Sequence, residues 1–368
     1  MDIGPKLKTA RNAIGYTLKK ATRESGIGES SISDFENSKR EPKFSQLSRL
    51  AEIYQKSIEF FLTDEALTES LMLWRVEPDA EEEKKKAEAK FRQLCQQYHN
   101  LEVLMGEAKK NTLPQLETIQ AENFDYQQVN SLAEKVQTEL QLGNIPSTSL
   151  KQILEEKYYV KIFHMDFPES AISTKSEEFG LAVLLNRNSK LWRRNYDLAH
   201  ELFHLLTWDI FRKGDIDTAG PSKREEKFAN AFASRLLLPA ESVKDKIEAS
   251  RQEGKVSFDV LDEIAREFCV SLEALLWRMV YLYNITPENI EKHVEQTKKV
   301  KILRPSRRSD EPDELPERYC SLAIRALNEG KLSLMQFRKY MGISYREAQE
   351  YLTEDEDFKD EKISISVA

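Results

Sequence analysis

Apolar residues recur every three or four positions along most of this chain, which is the spacing of amphipathic helices. Between residues 3 and 62 the pattern breaks into five short segments separated by Gly and Pro. A helix, a Gly-containing turn and a second helix follow one another there, which is the order of a helix-turn-helix. In residues 63–112 a charge run passes into an amphipathic stretch that includes Phe91, Leu94 and Tyr98. We interpret this stretch as a helical connector between two domains.

A different pattern in the middle of the chain predicts a small sheet. The segments YYVKIFHMDF (158–167) and FGLAVLLNRN (179–188) are rich in β-branched and aromatic residues, as strands are. Two helical patterns lie between residues 127 and 157, and others follow in residues 222–239 and 257–284. The predicted fold class is therefore mainly α with a small β-sheet, which is an α+β arrangement.

Composition indicates a soluble protein. Of the 368 residues, 40% are hydrophobic and 32% are charged, and no apolar run approaches the roughly 20 residues that a membrane helix needs. The N-terminus, MDIGPKLK, lacks the apolar segment of a signal peptide. We therefore expect a cytoplasmic protein with no membrane partner. Three cysteines lie far apart without a CxxC pair, which predicts free thiols rather than a disulfide or a thiolate metal site.

Charge is distributed unevenly along the chain. The net charge is −8, but residues 1–62 contain eleven Lys and Arg against eight Asp and Glu, which leaves that segment at +3 and the remainder at −11. A mildly basic module on an acidic body permits local contact with DNA. The basic stretch from Lys298 to Arg308 is interpreted as a solvated linker, with a second nucleic-acid contact as the alternative.

The segment DLAHELFHLL (197–206) contains the most informative spacing. His200 and His204 are four residues apart, and Glu201 directly follows the first. Residues four apart on a helix differ by about 40° in direction, so both imidazoles project from one face. They can share one Zn²⁺ at roughly 2.0–2.1 Å, with Glu201 as the base that takes a proton from water. The alternative is an amphipathic helix that carries two histidines without a metal.

A catalytic zinc ion needs a third protein ligand. A third histidine from the same stretch is excluded, because Thr207 and Ile210 stand where HExxHxxGxxH has Gly and His. In the helix predicted for REEKFANAFASRLLLP, Glu226 shares a face with small residues, so we assign it as the third ligand. Asn230, one turn on, is placed to hydrogen-bond a zinc-bound imidazole. Competing candidates for the third ligand are Glu225, Asp209, Asp215 and Asp217.

These motifs together resemble the ImmA/IrrE family of bacterial zinc peptidases. The stretches RRNYDLAHELFHLL, EEKFANAFASRLLLP and LDEIAREFCVSLEALLWRMVYL carry the resemblance, which covers roughly residues 125–285. It implies a regulatory protease that cleaves a DNA-binding repressor. The family usually has Gly where this chain has Phe203, so this ring is expected either to crowd the site or to pack against the sheet. The other histidines, His99, His164 and His293, are interpreted as surface or core residues.

The N-terminal segment SSISDFENSKREPKFSQLSRLAEIY resembles the Xre (Cro/C1-type) helix-turn-helix family. The resemblance implies that a helix at about residues 28–36 enters the major groove of an operator, and that Lys39, Arg40 and Lys43 lie near phosphates. It also implies a possible homodimer, because operators of such modules are symmetric. The residues expected to face the groove are Glu29, Ser30, Ser31, Ser33 and Asp34.

The sequence thus predicts a DNA-binding zinc endopeptidase that cleaves a repressor-type protein, or itself, to switch transcription. The alternative is a transcriptional regulator whose zinc domain is only a sensor or scaffold. The predicted units are a five-helix helix-turn-helix domain, a helical connector, a zincin-like HExxH peptidase domain, a basic Pro-containing linker, and a C-terminal helical unit with its tail. Their bounds are 1–64, 65–115, 116–297, 298–316 and 317–368.

Overall fold

The chain folds into helices arranged around one four-stranded sheet, which confirms the predicted α+β class. The computed structural model describes residues 3–54, 56, 58–62, 71–74, 81–110, 113–114, 120–212, 220–288, 290 and 311–358. In these ranges no helix is both long enough and apolar enough to cross a membrane. All three cysteines are free thiols, as predicted.

Five short helices form the N-terminal domain, as the sequence pattern predicts. The Thr17 side chain caps the second helix by accepting the N–H of Lys20, and Gly26 ends that helix in the left-handed conformation with φ of 72°. A buried ion pair between Arg11 and Glu36, 2.6 Å long, ties the first helix to the third. The helices are α1 (Ile3–Ala13), α2 (Leu18–Ser25), α3 (Glu29–Glu36), α4 (Phe44–Ile53) and α5 (Ile58–Leu62).

The sheet has strand order β1-β3-β4-β2. Strand β3 is antiparallel to both of its neighbours, whereas β2 is parallel to β4. The sequence predicted β2 and β4 but not the other two strands, because β3 reads AISTKS and β1 has only three residues. The strands are β1 (Met72–Trp74), β2 (Lys161–Met165), β3 (Ala171–Ser176) and β4 (Gly180–Asn186).

Twelve further helices are described. Two short 3₁₀ turns, Ala121–Asn123 and Pro146–Thr148, precede the second and third of them. The helices are α6 (Glu81–Leu104), α7 (Tyr126–Glu139), α8 (Leu150–Glu156), α9 (Leu191–Leu206), α10 (Trp208–Phe211), α11 (Lys223–Leu237), α12 (Ala240–Ala249), α13 (Phe258–Glu267), α14 (Leu272–Tyr283), α15 (Glu317–Asn328), α16 (Leu334–Met341) and α17 (Tyr345–Phe358).

The two faces of the sheet support two apolar cores, because side chains alternate between faces along each strand. On one face, Val183 of β4 packs with residues of α9 and α11 such as Leu202 and Phe232, and we call this the first core. On the other, Leu184 packs with α6 and α15 in the second core, where the rings of Tyr98 and Tyr319 meet edge to face at 5.4 Å. The N-terminal domain has a third core of its own.

Residues 65–115, predicted to be a helical connector, contribute to the sheet and to one of its cores. Strand β1 pairs with β3, and α6 covers one face of the sheet with Phe91 and Tyr98 in the second core. Described residues of the C-terminal unit predicted at 317–368 pack on the same face. Most of the predicted linker (298–310) and the end of the tail (359–368) lie outside the described residues, and the domain bounds stay predictions.

A buried group of charges joins α6, β2 and α15. The Lys161 ammonium, from β2, lies 2.8 Å from one carboxylate oxygen of Glu102, and Arg318 donates to the other. Glu102 and Lys161 are both almost fully buried. At the rim of this group, Glu107 pairs with Arg325 at 2.7 Å and is about one-third exposed. Lys161 therefore depends on the Glu102 carboxylate for its compensation, whereas the half-buried Arg318 also pairs with Glu107 at 3.4 Å.

We expect Glu102→Gln to lower the free energy of unfolding by about 3 kcal/mol, because it leaves Lys161 buried beside a neutral amide. The matched change Glu107→Gln should cost less than about 1 kcal/mol, because that pair is exposed to solvent. Urea unfolding followed by tryptophan fluorescence measures both changes. Equal effects of the two substitutions would contradict the assigned role of the buried group.

Candidate metal centre

Helix α9 carries the histidine pair and packs one side against the sheet. Leu198 and Leu202 lie in the first core, while His200 and His204 project one turn apart toward α11. Both imidazoles are buried, with at most 1% of their surface exposed. The predicted base Glu201, next along α9, is also fully buried. The apolar face of α9 thus fixes the direction in which the two rings point.

Helix α11 brings the third member of the group. Its first turn is capped by Ser222, whose hydroxyl accepts the N–H of Glu225 at 3.1 Å. Ala229 and Ala233 are completely buried on the helix surface that includes Glu226. Such small side chains let two helix backbones approach closely. The Glu226 side chain can therefore reach both rings of α9.

His200, His204 and Glu226 converge on one point, as the sequence predicts. The Nε2 atoms of the two imidazoles are 3.2 Å apart, and each is 3.2 Å from one oxygen of the Glu226 carboxylate. Ligand atoms at 2.0–2.1 Å from a tetrahedral zinc ion are themselves about 3.3 Å apart. Among the described residues this is the group of His, Cys, Asp and Glu with the spacing to hold a metal ion. Two imidazoles and one carboxylate are also a donor set that zinc takes in catalytic sites.

The outer nitrogens of both rings are held by hydrogen bonds. His200 Nδ1 lies 3.2 Å from Asn230 Oδ1, which is the contact that the sequence predicts. His204 Nδ1 lies 2.9 Å from Glu225 Oε1. The Tyr196 hydroxyl donates to the backbone carbonyl of Asn230 at 3.0 Å and steadies it. With both Nδ1 atoms occupied in this way, both Nε2 atoms are directed at the Glu226 carboxylate.

Glu225 has a role that the sequence reasoning missed. We considered it as a competing third ligand, but its carboxylate binds the far side of the His204 ring and is fixed by two hydrogen bonds from Arg212, at 2.8 and 3.1 Å. Its position one residue before Glu226 turns it about 100° around the helix. Helical geometry alone therefore indicated that Glu225 points in a different direction from Glu226. Its partner Arg212, by contrast, could not be inferred from spacing.

The charges of the group are strongly coupled. Burial opposes a charge on His204, but hydrogen bonds with Glu225 and Glu226 and the nearby Glu201 outweigh it and raise its pKa to about 9. Burial also opposes the charge of Glu226, yet hydrogen bonds with His200 and His204 lower its pKa to about 2. The site is thus an anionic pocket that retains a cation, either a proton on His204 or a metal ion in its place.

The remaining sequence candidates lie elsewhere. Asp209 is mostly exposed and pairs with Lys175 at 2.7 Å, whereas Asp215, Asp217 and His293 are outside the described residues. His164 is buried in β2, and burial lowers its pKa to about 3. His99 lies partly buried, 3.8 Å from Glu102. Phe203 lies beside the site, because its ring meets the His204 ring edge to face with centroids 5.8 Å apart, and it packs with other aromatic rings in the first core. Those rings belong to Phe124, Phe211 and Phe232.

The predicted DNA-contact residues cluster on and just after α3. Glu29, Ser30, Lys39, Arg40 and Lys43 are exposed, and Ser31, Ser33 and Asp34 are half-buried. The guanidinium group of Arg40 stacks on the Phe35 ring at 5.0 Å and donates to the Ser31 hydroxyl at 3.4 Å. This surface therefore combines a short helix with three neighbouring cations.

Two parts of the chain match known families. Residues 155–279 match the family model described as the IrrE N-terminal-like domain, and residues 7–61 match the one described as helix-turn-helix. The chain is also 36% identical over 62 residues to the HTH-type transcriptional regulator ImmR of Bacillus subtilis (strain 168). That match covers 17% of this chain and 49% of ImmR, so the chain spans about half the length of this curated relative.

Fold, site geometry and these matches define a helix-turn-helix protein that also carries a metallopeptidase-like domain. More particularly, the N-terminal domain is of the Xre type, and the domain that contains α9 and α11 belongs to the IrrE/ImmA family. Both resemblances predicted from the sequence motifs are confirmed at the level of these domains.

We expect Glu225→Gln to weaken zinc affinity roughly tenfold, because it removes the negative charge that orients and polarises His204 while it keeps the side-chain shape. Competition with a chromophoric chelator measures the affinity. Glu241→Gln, an exposed change on α12, is the matched control and should leave affinity unchanged. An affinity for Glu225→Gln equal to that of the control would show that Glu225 does not support the site.

Proposed function

We propose that this chain is a DNA-binding regulatory zinc endopeptidase that cleaves a repressor-type protein, or itself, to switch transcription in a stress, phage or mobile-element response. The observation that carries the proposal is the convergence of His200, His204 and Glu226 on one point beside Glu201. This arrangement combines a metal-binding donor set with a neighbouring carboxylate that can act as a base.

Each residue of the site would have a distinct task. His200, His204 and Glu226 would hold Zn²⁺, which when bound polarises a carbonyl group and makes water more acidic. Glu201 would take a proton from the attacking water and pass it to the leaving amine, so that the peptide bond ends as a carboxylate and an amine. Asn230 and Glu225 would keep the two rings oriented through their Nδ1 atoms.

The N-terminal domain would bring the peptidase to an operator. The net charge of +3 over residues 1–62, on a chain of −8, favours DNA contact through this domain, predicted at 1–64. The likeness to ImmR, a transcriptional regulator by its name, supports a role in transcription. A repressor bound at the same operator is then a protein substrate within reach. Operator symmetry favours a homodimer, and a protein that acts on bacterial DNA is expected in the cytoplasm.

A second function, that of a regulator whose zinc domain serves only as a sensor or scaffold, is supported by the burial of the site. His200 and Glu201 have no exposed surface at all. A peptidase must admit an extended polypeptide, whereas a structural or sensing metal site can remain closed. The two functions differ in whether Glu201 performs chemistry.

Glu201→Gln distinguishes the two functions, because it removes the base and keeps the shape of the side chain. We expect cleavage to fall by about 10²–10⁴-fold, with one zinc ion per chain still bound. The measurement is mass spectrometry of the chain itself and of the proteins encoded beside its gene, incubated with wild type or variant, with and without chelator. If the wild type yields no chelator-sensitive fragments, or the variant yields the same ones, the peptidase proposal is wrong.

The proposed DNA contacts predict how the affinity for DNA depends on salt concentration. Replacing both Lys39 and Lys43 with Ala should weaken binding to all sequences and reduce the slope of log affinity against log salt by about 2, because two phosphate contacts are lost. Fluorescence anisotropy with a duplex carrying the gene's upstream region measures this. Lys8→Ala, an exposed lysine of α1, is the control, and an equal loss there would contradict the assigned surface.

A further inference from the structure

The histidine pair and Glu201 are closed off from solvent in this fold, although their proposed function requires access for a polypeptide. Only the Glu226 side chain, about one-quarter exposed, reaches the surface. Some part of the fold must therefore move before an extended substrate can reach these side chains. Strand β1 is the element to consider, because it forms the sheet edge next to β3, the strand against which α9 packs.

Strand β1 is an addition to the sheet of the peptidase domain. The family match, residues 155–279, includes β2, β3 and β4 but not β1. Without β1, the three-stranded sheet would have β3 as an open edge strand. Such an edge presents unpaired N–H and C=O groups, and an extended peptide can add to it as a further strand. Leu71–Trp74 occupies this edge in antiparallel register, with Leu73 opposite Ser173.

Leu73 and its partner Ser173 lie on the face of the sheet that packs against α9. Ser173 and Lys175 lie on one face of β3, since they are two residues apart, and Lys175 reaches Asp209 directly beyond the end of α9. Helix α9 itself packs against β3. The edge occupied by β1 therefore runs beside the helix that carries His200 and Glu201.

Leu73 differs from its two neighbours in its surroundings. Met72 and Trp74 point to the opposite face and lie in the second core. Leu73 is 1% exposed, yet it belongs to none of the three apolar cores that the described residues form. The facing Ser173 hydroxyl is buried and has no hydrogen-bond partner in the described part of the chain. Leu73 and Ser173 therefore lie buried side by side across the two strands.

We infer that Leu71–Trp74 occupies the position of a substrate strand along β3. In this position it closes the metal centre, which opens only when this segment separates from β3. The inference rests on the proposed function and extends it to regulation and substrate form. The true substrate is then an extended segment with an aliphatic side chain opposite Ser173. Along the chain, β1 lies between α5, the last helix of the N-terminal domain, and α6.

Release of zinc to an excess of a chromophoric chelator tests this closure without relying on peptidase activity. In the full-length, zinc-loaded chain, Leu73→Ala should speed zinc release at least about tenfold, because it weakens the closed arrangement of the strand. The matched control is Leu181→Ala, which empties a similar volume on β4 in the first core. We expect less than about a twofold change in the control.

A second variant decides the question if Leu73→Ala does not fold. Met72 and Thr174 are partners across the two strands, so Met72→Cys with Thr174→Cys can form a disulfide that holds β1 in place while Leu73 stays. The oxidised form should release zinc at least about tenfold more slowly than its reduced form. Equal rates in both forms, or equal rates for Leu73→Ala and Leu181→Ala, would overturn the inference. A chain that binds no zinc would instead refute the proposed function.

Discussion

The close packing of α11 against α9 is the contact on which the candidate site depends. Ala229 and Ala233 make it possible, because larger side chains would hold the helices apart. At this distance the Glu226 carboxylate lies 3.2 Å from both imidazoles. The same contact positions Asn230 and Glu225 on the outer nitrogens of the rings. A single helix pair thus supplies the metal-binding group and the hydrogen bonds that orient it.

A sheet supports this helix pair. Elements from distant parts of the chain complete that sheet and cover its other face. Strand β1 and α6 come before the matched peptidase domain, and α15 comes after it, yet all three pack on the sheet. The buried carboxylate of Glu102 joins α6, β2 and α15 through Lys161 and Arg318. The DNA-binding domain is attached to the same body, since Lys20 of α2 pairs with Glu82 of α6. The N-terminal domain and the helix that covers the second core therefore meet at this ion pair.

Sequence reasoning succeeded where the physical signal is local. The four-residue spacing of His200 and His204, the small-residue face around Glu226, and the apolar periodicity of the helices are all encoded within one or two helical turns. It failed for β1 and β3, because a three-residue strand has too little pattern and AISTKS mixes polar residues on both faces. It also missed Arg212 and the covering strand, since both depend on tertiary contacts that spacing does not reveal.

X-ray absorption spectroscopy at the zinc edge of the metal-loaded chain tests the central claim most directly. The account predicts one zinc ion per chain with two imidazole nitrogens and at least one carboxylate oxygen at about 2.0–2.2 Å, and no sulfur ligand. The signal of both imidazoles should disappear when His200 and His204 are replaced by Ala. Sulfur at about 2.3 Å, or an unchanged imidazole signal in that variant, would place the ion elsewhere and contradict the account.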